Sequence, residues 1–171
     1  MTETIRNIAI IVTGLLVPVT AVIVIRLNDI KKILIGEILL NCFVAANYIL
    51  LNGFSGAGTC ILAAVQAVVM YFLPGRWKKI SAFIFMGFYG VWFVLSYGAP
   101  MDVLPFLSAV FYSLAIMQGK PRNYKVCKSL NALSCLIYDV LVGAYFIMIT
   151  HGLLLVLSII QLCKKEKNQE S

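Results

Sequence analysis

The chain has 171 residues, 61% of them hydrophobic and 12% charged, with a mean hydropathy of +0.95. So little polar surface excludes a water-soluble domain, and lipid is the solvent that this composition fits. The formal net charge of +7 is divided among short loops without interleaved aromatics, so it reads as a topological signal and an attraction to anionic lipid headgroups, with no nucleic-acid partner.

Apolar segments follow one another at 7–25, 33–51, 57–74, 80–97, 103–118, 129–149 and 151–163. Most can cross a hydrocarbon core about 30 Å thick at about 1.5 Å per helical residue. The first lacks a basic leading region and is too long for a signal peptide, so it is read as a helix. The first connection carries Arg26, Lys31 and Lys32; the third Arg76, Lys78 and Lys79; the fifth Lys120, Arg122, Lys125 and Lys128; the tail Lys164, Lys165 and Lys167. The second, fourth and sixth connections carry none, and only Arg6 falls on the other side. Cytoplasmic loops collect Lys and Arg. The expectation is therefore an all-α integral membrane protein with seven transmembrane helices, its N-terminus outside and residues 164–171 a cytoplasmic tail.

The two ends of the chain look alike. Tyr48 is followed by a glycine-containing loop and then Leu62 to Gln66; Tyr145 is followed by Gly152 and then Leu157 to Gln161. Basic clusters precede the second and sixth helices and follow the third and seventh. This predicts two parallel three-helix repeats, 7–74 and 103–163, with 80–97 as a linker helix that gives both copies the same orientation, a 3+1+3 plan.

The stretch Asp102 to Phe106, the run Cys135 to Gly143 and the segment Leu157 to Gln161 resemble the YgjV family of bacterial inner-membrane proteins. That family is similar in plan to the SWEET and PQ-loop transporters, and the resemblance implies the 3+1+3 architecture more than any activity. The chain departs from it in carrying Gln66 and Gln161 where arginine is usual and Asp139 where an amide is, and it has no Pro-Gln dipeptide. Prolines in the repeat helices of SWEET-like transporters act as hinges, and Pro18 resembles such a position. Pro105, in the first turn of the fifth helix, is no symmetric partner to it.

Polar residues inside the apolar segments are the candidate site. Asp139 lies eleven residues beyond Lys128, which places it about 16 Å deep, near the bilayer centre. Ionised Asp costs about 2.5–3.5 kcal/mol there, so it is expected to face the bundle interior as a proton or substrate-cation site, or to serve as a helix-to-helix hydrogen-bond donor. Asn41 and Gln66 reach similar depth, and with Tyr138 they complete a polar belt able to hydrogen-bond a small neutral or zwitterionic metabolite. Gln161, nearer the cytoplasmic end, is read as helix glue. Glu37 is expected to snorkel or pair with a basic loop. Asn47 is placed at the outer interface, as a gate or a hydrated group. Tyr48, Tyr97 and Tyr145 form an outer aromatic belt with Trp77 at the inner boundary. Pro18 should kink its helix. Gly87 and Gly90 are expected to let the linker helix pack closely, and His151, the sole histidine, to be a solvated loop residue.

The five cysteines, Cys42, Cys60, Cys127, Cys135 and Cys163, show no CxxC spacing and no companion histidines, so core filling is their role and neither metal nor disulfide framework is implied. No catalytic motif is visible, so an enzyme is not expected, and no cofactor is implied. The reading is a facilitator or proton-coupled carrier of a small polar metabolite in the bacterial inner membrane, or else a non-transporting membrane protein with a regulatory or structural role. A homo-oligomer is compatible with either.

Overall fold

The computed structural model describes residues 3–26, 30–117 and 121–167. Seven α-helices run through the described residues: α1 Glu3–Arg26, α2 Ile30–Leu50, α3 Phe54–Phe72, α4 Gly75–Ser96, α5 Val103–Met117, α6 Pro121–Val142 and α7 Tyr145–Lys167, with a 3-10 turn at Pro100–Asp102 before α5. Expectations for Gln161, Cys163, the 164–171 tail and the basic side chains of Arg26, Lys31, Arg76, Lys120, Arg122 and Lys125 lie outside the described residues.

Glu3–Val24, Phe54–Phe72 and Trp77–Ser96 are long and apolar enough to cross a membrane, and Leu34–Leu50, Pro100–Ala115 and Tyr145–Leu157 are shorter apolar helices. Outward-facing side chains are mostly large and apolar, among them Ile8, Val19, Phe83, Phe88, Val94 and Leu95. In water such a surface would be a liability; against lipid tails it costs nothing.

Short connections make successive helices antiparallel neighbours. α2 packs on α1 and α3, and α6 on α5 and α7. The ring closes where α1 meets α7 and α3 meets α5, while α4 lies outside it with α3 and α5 as its chief neighbours. One core cluster, around Val17, Val44, Tyr48, Ala57, Tyr138 and Ile147, joins five of the six ring helices, and Ala57 and Ala144 allow the backbones to approach there.

Two helices end alike. In α2, Gly53 N–H donates to the Tyr48 carbonyl at 2.8 Å and Asn52 N–H to the Ile49 carbonyl at 3.1 Å, with Asn52 at φ 60°. In α6, Ala144 N–H donates to the Asp139 carbonyl at 2.8 Å and Gly143 N–H to the Val140 carbonyl at 3.4 Å, with Gly143 at φ 77°. Both are Schellman caps, which require a left-handed residue after the last turn.

The second cap corrects the reading of 129–149 as one continuous segment. Gly143 ends α6, and Tyr145 opens α7 instead of closing α6. Tyr145 is 67% exposed and fits an interfacial belt, as do Tyr97 and Trp77, whereas Tyr48 is 3% exposed and belongs to the core. The pairing of Tyr48 with Tyr145 therefore fails. Pro18 lies within α1, which continues as a helix on both sides of it.

Packing of α4 also differs from expectation. A Cβ at Gly87 would meet nothing within 4 Å, and one at Gly90 only Phe106 at 4.0 Å. The close approach is made from α3, where a Cβ on Gly58 would fall 2.0 Å from the Trp92 ring. Trp92 Nε1 then donates to the Ser55 carbonyl at 3.2 Å, so the indole is both wedge and anchor.

Candidate functional site

A cavity of about 280 Å³ lies inside the ring. Its walls come from α1, α2, α3, α5, α6 and α7, and none of the lining residues belongs to α4. Three polar levels succeed one another along α2 and α6: Glu37 with Lys128, then Asn41 with Asn131, then Tyr48 with Tyr138 near the capped ends. From Glu37 to Tyr48 is about 16 Å along the helix axis.

Asp139 occupies the capped end. Because α6 begins at Pro121, Lys128 is already two turns inside it, and Asp139 falls three residues before the last helical residue. Counting depth from Lys128 therefore placed Asp139 too near the middle of its helix. The side chain is fully buried, at 0% exposure. Tyr48 Oη donates to Oδ1 at 2.5 Å, and His151 Nδ1 lies 2.6 Å from Oδ2. Both carboxyl oxygens are thus partnered by side chains from neighbouring helices, α2 and α7.

His151 is thus no solvated loop residue. It sits in the second turn of α7, its side chain 15% exposed, and it faces α6 across the short hairpin while also lining the cavity. The signal was the glycine: once Gly143 breaks the segment, residues 139 and 151 lie at matching heights on adjacent antiparallel helices.

Tyr138 is buried and points to the other side of α6. Its hydroxyl is 3.0 Å from Ser55 Oγ and accepts from Gly56 N–H at 3.2 Å. Ser55 Oγ spends its single proton on Asp102 Oδ1 at 2.5 Å, so Tyr138 is the donor in the Tyr138–Ser55 bond. Asp102 Oδ2 also accepts from Gly98 and Ala99 N–H at 2.9 and 2.8 Å. Burial pushes the Asp102 carboxyl up, but the Ser55 hydroxyl and the two backbone donors together outweigh that and leave it below the ordinary carboxylate range. Sequence reasoning missed this network, because Ser55 and Asp102 stand in loop-flanking positions with no periodic signature. Gly56 admits it: a Cβ there would meet the Tyr138 ring at 2.5 Å.

Tyr48 meets Tyr138 edge to face, with ring centroids 5.3 Å apart. The two rings close the cavity at the capped end, one tied to Asp139 and the other to Asp102 through Ser55.

Asn41 lines the cavity at mid-helix, and its Nδ2 donates to the Glu37 carbonyl at 2.8 Å. Asn131, not singled out by sequence, stands opposite on α6, with Nδ2 donating to the Ser108 carbonyl at 2.8 Å. Glu37 pairs with Lys128 at 3.6 Å, and Lys128 lies 5.0 Å from the Tyr112 ring centroid. Its partner is therefore a helix residue facing the cavity.

Gln66 does not join them. Fully buried, it accepts from Tyr89 of α4 at 2.8 Å and contacts Ser113 of α5 at 3.4 Å, on the side of α3 away from the cavity. Asn47 is equally internal: Nδ2 donates to the Ile10 carbonyl at 2.8 Å and to Thr13 Oγ1 at 2.9 Å, which stitches α2 to α1. At 2% exposure it is not the hydrated interfacial group expected. Cys60 and Cys135 line the cavity, and Cys42, Cys60, Cys127 and Cys135 are all free thiols.

Over residues 8–169 the sequence matches the Imp-YgjV family model, described as a bacterial inner membrane protein. No curated protein and no solved structure matches.

Proposed function

The chain belongs to the Imp-YgjV family of bacterial inner membrane proteins, and from that premise we propose that it is a facilitator or proton-coupled carrier of a small polar metabolite, not an enzyme. The observation that supports this best is the cavity, whose polar wall is drawn from helices on both sides of α4.

Seven crossings with the N-terminus outside and the C-terminus cytoplasmic follow from the basic connections. The 3+1+3 plan, similar to that of SWEET and PQ-loop transporters, gains support from helix boundaries that recur at a fixed interval. The left-handed residues Asn52 and Gly143 follow the last turns of α2 and α6, and Phe54 and Tyr145 begin α3 and α7; each pair is 91 residues apart. At the same interval Glu37 corresponds to Lys128 and Tyr48 to Asp139, and each residue touches its own counterpart. Contact between counterparts is what a pseudo-two-fold axis running between α2 and α6 would produce. Parallel repeats of this kind place the ligand between the copies.

In this reading Asp139, with His151, holds the proton; Asn41 and Tyr138 meet the ligand; and Pro18, one turn from the cavity-lining Ala21, lets α1 bend. Gln66 is a structural bridge to α4 and α5. The non-transporting alternative draws on one observation: both Asp139 oxygens and the Gln66 amide are satisfied by neighbouring helices.

A thermal-shift screen of the purified protein against sugars, amino acids, nucleosides and vitamins at two pH values, beside Asp139→Asn, separates the two. A stabilising compound whose effect changes in the variant supports the carrier. Absence of any such compound, with both proteins equally stable, supports the structural role.

A further inference from the structure

The first polar level, Glu37 with Lys128, suggests what the cavity takes. We propose that its ligand is a small zwitterion carrying a primary ammonium and a carboxylate, with Glu37 receiving the ammonium and Lys128 the carboxylate. This deepens the carrier reading and rests on it.

Glu37 Oε1 and Lys128 Nζ are 3.6 Å apart, with side chains 17% and 21% exposed, and both line the cavity. A tight charged hydrogen bond is about 2.7–2.9 Å, so at 3.6 Å the two are an ion pair in contact across the cavity wall. A lone anion or lone cation entering here would engage one charge and strand its partner in a poorly hydrated site. A ligand with both charges completes both.

The next level decides the kind of cation. Asn41 lies four residues beyond Glu37, one turn up the same face, and Asn131 three beyond Lys128. Each amide spends its NH₂ on a backbone carbonyl, at Glu37 and at Ser108. Neither Oδ1 accepts a hydrogen bond among the described residues. The Glu37 carboxylate and two amide oxygens give the cavity three acceptors, and a primary ammonium has three N–H donors and no acceptor. A trimethylated ammonium has no donor to offer them, and sugar hydroxyls can bond to both groups but bring no charge to balance either.

Between the amides and the two tyrosines the wall includes Val44, Cys60 and Cys135, which suits a short apolar or aliphatic remainder. At about 280 Å³ the space sits just below the roughly 300–1,000 Å³ of pockets for drug-sized molecules, so the ligand is small.

Binding of glycine, L-alanine and L-serine, with trimethylglycine, propionate, propylamine and D-glucose for comparison, is measured by calorimetry and thermal shift on the full chain. At least one primary-amine zwitterion should bind, and the trimethylated and singly charged compounds should bind at least tenfold more weakly. The double variant Glu37→Gln with Lys128→Gln removes both charges without stranding either, and should weaken the zwitterion at least tenfold. Asn41→Leu leaves the ion pair in place and should weaken it several-fold. Binding of glucose or a singly charged compound at undiminished affinity in the double variant overturns the zwitterion assignment and leaves the carrier reading standing. Failure of every compound to bind the wild type, with the broader screen also empty, overturns both.

Discussion

Tyr48 and Asp139 share a hydrogen bond of 2.5 Å between side chains, and each also supplies the backbone carbonyl that closes the C-terminal cap of its own helix. The bond is therefore made between two fixed points: main-chain capping sets the height of each residue, and burial removes competing water. Tyr48→Phe should leave Asp139 Oδ1 without its donor and lower stability by about 1.5–3 kcal/mol. Asp139→Asn keeps an acceptor for Tyr48 and a polar group for His151, so it should cost less. Equilibrium unfolding of the two single variants and the double variant measures the coupling directly; additive losses would mean the bond contributes nothing of its own.

His151 gives a second expectation. His151→Leu removes the partner of Asp139 Oδ2, a fully buried oxygen, and should destabilise by about 1–3 kcal/mol. His151→Gln retains a donor and should recover part of that loss. Melting temperatures of the purified variants test this, and equal losses for both would show that ring packing, not the hydrogen bond, is what matters.

Two glycines should behave in opposite ways. Gly58→Ala places a methyl against the Trp92 ring and should cost about 1–3 kcal/mol through overpacking and a displaced indole. Gly87→Ala meets nothing, and should be neutral or gain up to about 1 kcal/mol from helix propensity. Tryptophan fluorescence should shift in the first variant alone.

Asp102, in the connection between α4 and α5, sets a pH dependence. Its folded value lies below the ordinary one of about 3.9, so its contribution is complete above that value and is lost as pH falls through the folded value. The gap in melting temperature between the wild type and Asp102→Asn should hold steady from pH 7 to about 5 and narrow below 4. A gap that widens on acidification would reverse the assigned sign.

Helix number and order were legible because apolar length and basic connections are carried by composition alone. The break at Gly143 was not, since hydropathy is blind to φ and a left-handed glycine inside Val-Gly-Ala adds no polarity. That one omission misplaced three residues at once: Asp139 moved towards mid-helix, Tyr145 to the wrong helix and His151 into a loop. Facing was the second loss. A helix apolar on every side has no stripe to orient it, so Gln66 and Asn41 looked equivalent although one turns to α4 and α5 and the other to the cavity. Tyr138 and Asp139, adjacent in sequence, were read together, yet they serve different networks.

The caps on α2 and α6 leave only residues 51–53 and 143–144 between those helices and the next. With so little slack, α2 with α3 and α6 with α7 must each travel as one stiff lever, and no helix can slide past its hairpin partner. Between these levers run the Tyr48–Asp139 bond, the Tyr48–Tyr138 ring contact and the bonds of the Tyr138 hydroxyl to Ser55 and Gly56, all at the capped end.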